Sequence, residues 1–292
     1  MDTIGIQELW TFCDVGENAE IAECRDIRRS NGHEVSDYMD LAAKIAELQF
    51  RNRDYVLLFR GQARDHRDHR NQSTLQPSFF RMPPARLGDI PKRYDPNEIS
   101  ERFGKLRKYE SVLNDEFAES EFIGSDEISR YRILRWSILQ HYEVCKTPLL
   151  DVTHSLRIAA SFASVDNRSD DAYLYALGVP NISGAISASA EAGLQIIRLS
   201  SVCPPVAMRP HVQEGYLLGI YPDMDSQEQK QNYGLPEIDF GKRLIAKFRF
   251  NPNKFWTKGG QFQMIGKQAL YPSERRDPLY ALAKRVKHKA SR

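Results

Sequence analysis

The sequence predicts an α+β fold in which N-terminal helices pack on a mainly antiparallel β-sheet. Segments with helical spacing of apolar residues concentrate before Pro148, whereas short apolar runs bounded by Gly, Pro or Asn dominate after it. The two kinds of segment do not alternate, as they would in a parallel βαβ fold. We expect residues 1–32, which show no sustained period, to form an N-terminal extension or edge strand. Residues 33–292 are expected to form a single domain.

Helices and one buried strand are predicted in the first half of the chain. Ser36 is a suitable N-cap for a helix over the segment DYMDLAAKIAELQ. The run YVLLF at 55–59 is typical of a buried strand and leads directly into Arg60. Five prolines between residues 71 and 100 predict loop, and amphipathic patterns predict helices at 101–119 and about 126–144.

The second half is predicted to supply the sheet. A short helix rich in small residues is expected at 155–165. Strands are expected at 172–179, 194–200, 215–221, 243–250 and 261–266.

Composition limits the classes of protein to consider. Apolar residues make up 41% and charged residues 27% of the 292 residues, which argues against a mainly disordered chain. Four scattered cysteines without a C-x-x-C pair indicate free thiols in a reducing compartment, and they give no support to a zinc knuckle or a disulfide framework. The N-terminus has no basic start followed by an apolar run, and no stretch approaches the ~20 apolar residues of a membrane span. We therefore expect a cytoplasmic protein without membrane attachment.

Positive charge is concentrated in two places although the net charge is only +2. The loop at 64–70 contains three arginines, and the tail at 275–292 contains seven basic residues against Asp277. Either region is a solvated face or a surface that contacts phosphates, and the sequence leaves both readings open.

Arg60, Gly61 and Gln62 place polar groups at the end of an apolar run. A glycine here allows a sharp turn or the close approach of a ligand. An arginine that leaves a buried strand needs an anion or several acceptors, because an unpaired buried charge is costly. A structural salt bridge and an anion-binding site both satisfy that need.

Two later segments also place polar side chains beside apolar elements. Asp151, Thr153 and Ser155 precede the short helix, where they form either a pocket wall or its N-terminal cap. Gln213 and Glu214 precede an apolar strand, where they line a site or lie on the surface.

In this order the segments resemble the FRG domain family. The family pattern contains F-R-G-Q after a strand, L-x-P-S, Q-H-Y, T-x-L-L-D-x-T, a helix ending A-x-x-F-A, and R-x-x-x-Q-x-G. The resemblance spans roughly residues 36–287, with departures at 143–146, Pro148 and Val152. The matching residues are Phe59–Gln62, Leu75, Pro77, Ser78, Arg81, Gln140–Tyr142, Thr147, Leu149–Asp151, Thr153, Ala159, Phe162, Ala163, Arg209, Gln213, Gly215 and Tyr216.

FRG domains are in turn remotely similar to the ADP-ribosyltransferase superfamily. That similarity implies an ADP-ribosyltransferase-like sheet, NAD⁺ as a substrate and no metal. It assigns catalysis to Arg60 with Gln213 or Glu214, and it lets Tyr142 stack on the nicotinamide ring. The residues it assigns to NAD⁺ binding are Arg60, Gly61, Gln62, His141, Tyr142, Asp151, Thr153, Ser155, Phe162 and Arg209.

The resemblance predicts an NAD⁺-dependent ADP-ribosyltransferase that acts as a bacterial toxin or antiphage-defence effector. RNA or DNA bound by the 64–70 loop and the 275–292 tail is the favoured acceptor, protein is the rival, and an antitoxin or inhibitor protein is a further expected partner. One alternative is a non-catalytic module that binds nucleotides or nucleic acid. Another is a metal nuclease built from His66 and His69 with Asp65 and Asp68.

Overall fold

An eight-stranded sheet forms the centre of the molecule in a computed structural model, which describes residues 4, 7–14, 16–81, 95–232, 238–256 and 262–292. Two further strands, β1 (Glu8–Thr11) and β2 (Glu20–Glu23), lie outside this sheet. The strands of the large sheet are β3 (His33–Glu34), β4 (Val56–Gln62), β5 (Leu150–Thr153), β6 (Ala172–Val179), β7 (Ile186–Ser189), β8 (Leu194–Arg198), β9 (Gly215–Ile220) and β10 (Leu244–Phe250). The sheet order is β3-β10-β6-β4-β5-β9-β8-β7, with β3 and β10 parallel and the other neighbours antiparallel. This arrangement confirms the predicted α+β fold with a mainly antiparallel sheet.

The helices pack on this sheet and on one another. They are α1 (Cys24–Arg29), α2 (Tyr38–Arg51), α3 (Pro96–Ala118), α4 (Ser125–Arg130), α5 (Arg132–His141), α6 (Leu156–Ser164), α7 (Leu199–Val202), α8 (Met208–Val212), α9 (Gln227–Asn232), α10 (Pro252–Phe255), α11 (Lys267–Leu270) and α12 (Pro278–Ala290). Helix α6 lies on the central strands β4, β5 and β6, while α3 packs against α5 and α12. No helix within the described ranges has the length and apolar character that crossing a membrane requires.

Strand β4 extends further than its apolar run. Arg60, Gly61 and Gln62 pair with β6, so the polar residues belong to the strand and not to a loop behind it. The predicted strands within 172–179, 194–200, 215–221 and 243–250 are confirmed as β6, β8, β9 and β10. The predicted strand at 261–266 is wrong for residues 262–266, which form no strand, and Gln261 lies outside the described residues.

Helix boundaries differ from the prediction where side chains bond to the backbone. Asp37, and not Ser36, caps α2 by accepting from the amides of Met39 and Asp40. Helix α3 begins at Pro96, five residues before the predicted start. The helix predicted at about 126–144 is two helices, α4 and α5, because the backbone of Tyr131 is extended.

The N-terminal residues contribute to the core. Strands β1 and β2 form a two-stranded antiparallel sheet, and β1 contacts both α2 and β10. Leu9, Phe12 and Ile27 are buried in the main hydrophobic cluster. The division between 1–32 and 33–292 stays a prediction.

Candidate functional site

A cavity of about 490 Å³ opens beside the central strands β4 and β5. These strands pair at Phe59 and Thr153, whereas β4 pairs with β6 along its full length and β5 pairs with β9 along its full length. The short pairing leaves a gap next to the polar end of β4. The cavity lining consists of Phe59–Arg64, His66, Arg81, Gln140, His141, Glu143, Asp151–Thr153, Phe162, Leu199, Arg209, Gln213, Gly215 and Tyr271.

Arg60 carries a positive charge into the cavity, and no carboxylate of the described residues forms an ion pair with it. Its Nη1 donates to the carbonyl oxygen of Asp151, across the gap between the strands. Its Nε is buried and has no hydrogen-bond partner within the described ranges. Burial lowers the pKa of the guanidinium, the charge of Asp151 opposes that shift, and Arg81 adds to it. The Arg60 guanidinium is therefore a fixed cation whose Nε–H group remains available to bind a ligand.

Asp151 is a half-buried carboxylate on the same wall. Its Oδ2 accepts from Gln140 Nε2 at 2.6 Å, and Gln140 Oε1 accepts from the hydroxyl of Thr147 at 2.7 Å. Burial raises the pKa of Asp151, while Arg60 and the bond from Gln140 oppose the rise. Asp151 Oδ1 has no hydrogen bond among the described residues. A positioned carboxylate oxygen therefore remains available to a ligand.

His141 and Arg209 form another part of the wall. His141 is 3% exposed, and its Nε2 has no hydrogen-bond partner in the part of the chain that the structure describes. Burial, assisted by the charge of Arg209, lowers the pKa of His141 well below its usual value, so the ring is neutral at physiological pH. Arg209 donates from Nη2 to Glu143 at 2.7 Å, and its buried Nε has no hydrogen-bond partner among the described residues.

Gln213 and Thr153 hold the cavity wall together. The Nε2 of Gln213 donates to the carbonyl oxygen of Leu270 at 2.7 Å. The hydroxyl of Thr153 donates to the carbonyl oxygen of Gln213 at 2.8 Å. Both side chains line the cavity, but these bonds give them a part in fixing the segment before β9 to the end of β5.

Gly61 serves the packing of two elements rather than a sharp turn. A Cβ at this position would lie 1.8 Å from the carbonyl oxygen of Ala159 in α6. The backbone of α6 therefore rests directly on β4. The glycine thus permits the close approach of a helix. Because α6 lies so near β4, its residue Phe162 lines the cavity.

Three residues predicted for the site do not line the cavity. Tyr142 is buried, and its hydroxyl donates to Asp277 at 2.9 Å while its ring stacks with Tyr280, so the expected stacking on a ligand ring does not fit its position. Ser155 precedes α6 without forming a side-chain cap. Glu214 is exposed, with φ of 43° at the turn before β9. The carboxylate of Glu214, which was expected to act in catalysis, therefore lies outside the cavity.

Sequence reasoning missed several residues that line the cavity. Arg81 and Gln140 matched the family pattern, yet neither was assigned to the site. Tyr271 closes one side, with its ring 4.8 Å from the Arg209 guanidinium and in edge contact with Phe162. The aromatic-Pro step at 271–272 was the available signal for that position.

The lining as a whole favours an anionic ligand. Four arginines face two carboxylates, and one of these, Glu143, has a side chain that is 68% exposed. Four buried side-chain atoms that no described residue bonds lie on residues of this one cavity: Arg60 Nε, Gln62 Oε1, His141 Nε2 and Arg209 Nε. Buried polar groups are normally bonded, so a cluster of unbonded ones indicates a ligand site.

The charged loop near the cavity gives little support to a metal centre. Asp65 accepts from Tyr175 at 2.9 Å and from Lys247 at 3.2 Å, so this carboxylate is already engaged. No group of three His, Cys, Asp or Glu side chains in the described ranges could hold a metal ion.

Most cations of the two basic regions are engaged within the protein. Arg67 binds Asp65 and the backbone carbonyl oxygens of Arg29 and Ser30. In the tail, Arg285 and Lys289 both bind Glu116 of α3. The two regions are therefore not uniformly free to contact phosphates.

Residues 56–172 match the family model of the FRG domain. Over this segment the chain is similar to the FRG domain. The match runs from β4 to the first residue of β6 and includes Arg60, His141 and Asp151 of the cavity, whereas Arg209 and Gln213 lie beyond it. Comparison with curated proteins and with solved structures found no match to this chain.

Proposed function

We propose that this FRG-domain protein is an NAD⁺-dependent ADP-ribosyltransferase that modifies a macromolecule, acting as a toxin or antiphage-defence effector. The observation that carries the proposal is the Arg60 guanidinium, which has a buried, unbonded N–H in an open cavity. The cavity volume of about 490 Å³ lies within the range of about 300–1,000 Å³ typical of ligand sites. Arg60 and Arg209 offer the donors that a pyrophosphate group requires.

The reaction breaks the bond between C1″ of the ribose and the nicotinamide nitrogen. The nicotinamide leaves with the bonding electron pair, and an oxocarbenium-like ribose forms, as in glycoside hydrolysis. A nucleophilic oxygen or nitrogen of the acceptor then bonds to C1″ and loses its proton. A fixed carboxylate near C1″ stabilises the developing cation or takes that proton.

Asp151 is the carboxylate we assign to this step. It lines the cavity next to Arg60, and the bond from Gln140 fixes its orientation. Glu214 is exposed and outside the cavity, and the amide of Gln213 can only position other groups by hydrogen bonds. The neutral ring of His141 presents an unbonded nitrogen to the same space.

The test is incubation of the protein with radiolabelled NAD⁺ and cell extract, with nicotinamide release measured in parallel. We expect Arg60→Ala to reduce both signals at least about 100-fold, because the cation that holds the dinucleotide is lost. Arg70→Ala is the matched control, since Arg70 is an exposed arginine of the neighbouring loop that does not line the cavity. Absence of both signals from the unmodified protein would contradict the proposal.

A non-catalytic binding module is the second candidate. The observation in its favour is that Glu214, a carboxylate assigned to catalysis by resemblance, lies outside the cavity. This alternative predicts that NAD⁺ binds in calorimetry and that Arg60→Ala abolishes the binding, while no nicotinamide is released.

A further inference from the structure

A second cleft of about 440 Å³ borders the candidate site. It is lined by Gln268, Tyr271, Ser273, Arg275 and Arg276, and we call it the outer cleft. Tyr271 belongs to both linings, so the outer cleft adjoins the cavity that holds Arg60. A molecule in the outer cleft would therefore lie next to the proposed reaction centre.

Arg275 and Arg276 are the charged residues of the outer cleft. Both are exposed, and neither forms an ion pair with any residue in the described part of the chain. The carboxylate of Glu274, the residue before Arg275, is bound to Lys284 of α12. By contrast, Arg285 and Lys289 further along the tail are bound to Glu116. Within the tail, free positive charge is thus concentrated at the outer cleft.

Tyr271 provides an aromatic surface in a defined orientation. It is 38% exposed, its ring centroid lies 4.8 Å from the Arg209 guanidinium, and it meets Phe162 edge-on at 5.8 Å. Aromatic rings beside basic side chains are the usual platform for unpaired bases in single-stranded nucleic acid. An acidic peptide would use the two arginines but would gain nothing specific from the ring.

We propose that the outer cleft binds the acceptor and that the acceptor is a single-stranded nucleic acid, an inference that rests on the function proposed above. One base stacks on Tyr271, and two backbone phosphates contact Arg275 and Arg276. A duplex does not fit this mode, because its bases stay stacked on one another and cannot reach an aromatic side chain.

The experiment measures binding of a short fluorescein-labelled single-stranded RNA by anisotropy over a series of salt concentrations, without NAD⁺. The double variant Arg275→Ala/Arg276→Ala should bind at least about tenfold more weakly. It should also lower the slope of log affinity against log salt by about 1.4, since each phosphate contact to a single strand contributes about 0.7. Tyr271→Leu should weaken binding about tenfold, the effect of one lost stacking contact, without changing that slope.

Lys105→Ala/Lys108→Ala is the matched control. These exposed residues of α3 carry the same charge and line neither cavity, so RNA affinity should stay within about twofold of the original. Circular dichroism verifies that all variants are folded.

Three results would overturn the acceptor surface: unchanged RNA affinity in the Arg275/Arg276 variant, equal affinity for a duplex of the same sequence, or binding of an acidic peptide but not of RNA. The Arg275/Arg276 variant should still release nicotinamide from NAD⁺ while losing transfer to RNA. If the unmodified protein binds RNA in the predicted pattern but releases no nicotinamide, the transferase proposal fails and the nucleic-acid surface stands.

Discussion

Arg60 is half-buried, and no carboxylate among the described residues forms an ion pair with it. A buried charge is usually paired with an opposite charge, yet the guanidinium of Arg60 donates to a backbone carbonyl and leaves its Nε unbonded. The nearby carboxylate of Asp151 interacts with it electrostatically but is bonded to Gln140 instead. Buried polar groups without a hydrogen-bond partner are expected at binding sites, where the missing partner is the ligand.

The assignment of Asp151 is tested by comparing Asp151→Asn with Glu214→Gln. Asparagine keeps an oxygen that can accept from Gln140, so the main loss is the negative charge. We expect Asp151→Asn to slow nicotinamide release about 100-fold with little change in NAD⁺ affinity, because the charge acts on the transition state. Glu214→Gln should match the unmodified protein, since Glu214 lies outside the cavity.

The pH dependence of nicotinamide release gives a second test of the role of Asp151. Burial raises the pKa of Asp151, and the ionised form is the one that stabilises a cation. The rate should therefore fall as the pH falls, with a midpoint above the usual value of about 3.9 for aspartate. A loss of activity in Glu214→Gln but not in Asp151→Asn would show that Glu214, and not Asp151, is the catalytic carboxylate.

At the scale of elements, the packing of α6 on β4 positions one wall of the cavity. The helix approaches so closely that a glycine is required at position 61, where a Cβ would lie 1.8 Å from the Ala159 carbonyl oxygen and 2.7 Å from its carbon. These are backbone atoms, which cannot rotate away as a side chain would. The helix and the strand can therefore separate only by moving as whole elements.

Gly61→Ala should lower the free energy of unfolding by about 3 kcal/mol or more, the upper range for overpacking a core. Urea unfolding measures this change. Gly104→Ala in α3 is the matched control, because a Cβ there meets nothing within 4 Å and alanine favours a helix by about 0.5–1 kcal/mol. Equal stability of the two variants would contradict the close packing.

The whole molecule also contains a charge whose burial affects global stability. Lys230 of α9 is fully buried, with its Nζ 4.4 Å from the ring centroid of Phe80 and without a hydrogen-bond partner in the described ranges. Burial lowers the pKa of Lys230 to about 7, from 10.5 for the unperturbed side chain. Between these values the unfolded chain binds a proton that the folded chain does not, so the free energy of unfolding rises with pH from about 7 to 10.5.

Lys230→Met should remove that rise and stabilise the protein at pH 7 by at least about 1 kcal/mol, because an apolar side chain fits the site without deprotonation. Urea unfolding at pH 7, 8 and 9 measures the slope, which for one such group approaches 1.4 kcal/mol per pH unit. Lys254→Met, at an exposed position, should leave the slope unchanged. A slope that survives in Lys230→Met would place its origin in another group.

Local patterns in the sequence determined the fold class, the strands around Arg60 and Gly215, and the helix with Phe162. Helical and strand periodicities depend on near neighbours in the chain, and that is why they can be read from sequence alone. The ordered motifs likewise predicted that Arg60, Asp151 and Arg209 share one site, and all three line the cavity.

Tertiary structure alone decided which of those side chains the cavity can use. Glu214 and Tyr142 lie next to cavity residues in sequence, yet a positive φ at one and a bond to Asp277 at the other take them away from the cavity. Tertiary structure also decided which cations of the tail are paired, since Glu116 of the distant helix α3 binds both Arg285 and Lys289. Side-chain direction and charge pairing depend on residues far apart in the chain, and the periodicity of a local segment does not depend on those residues.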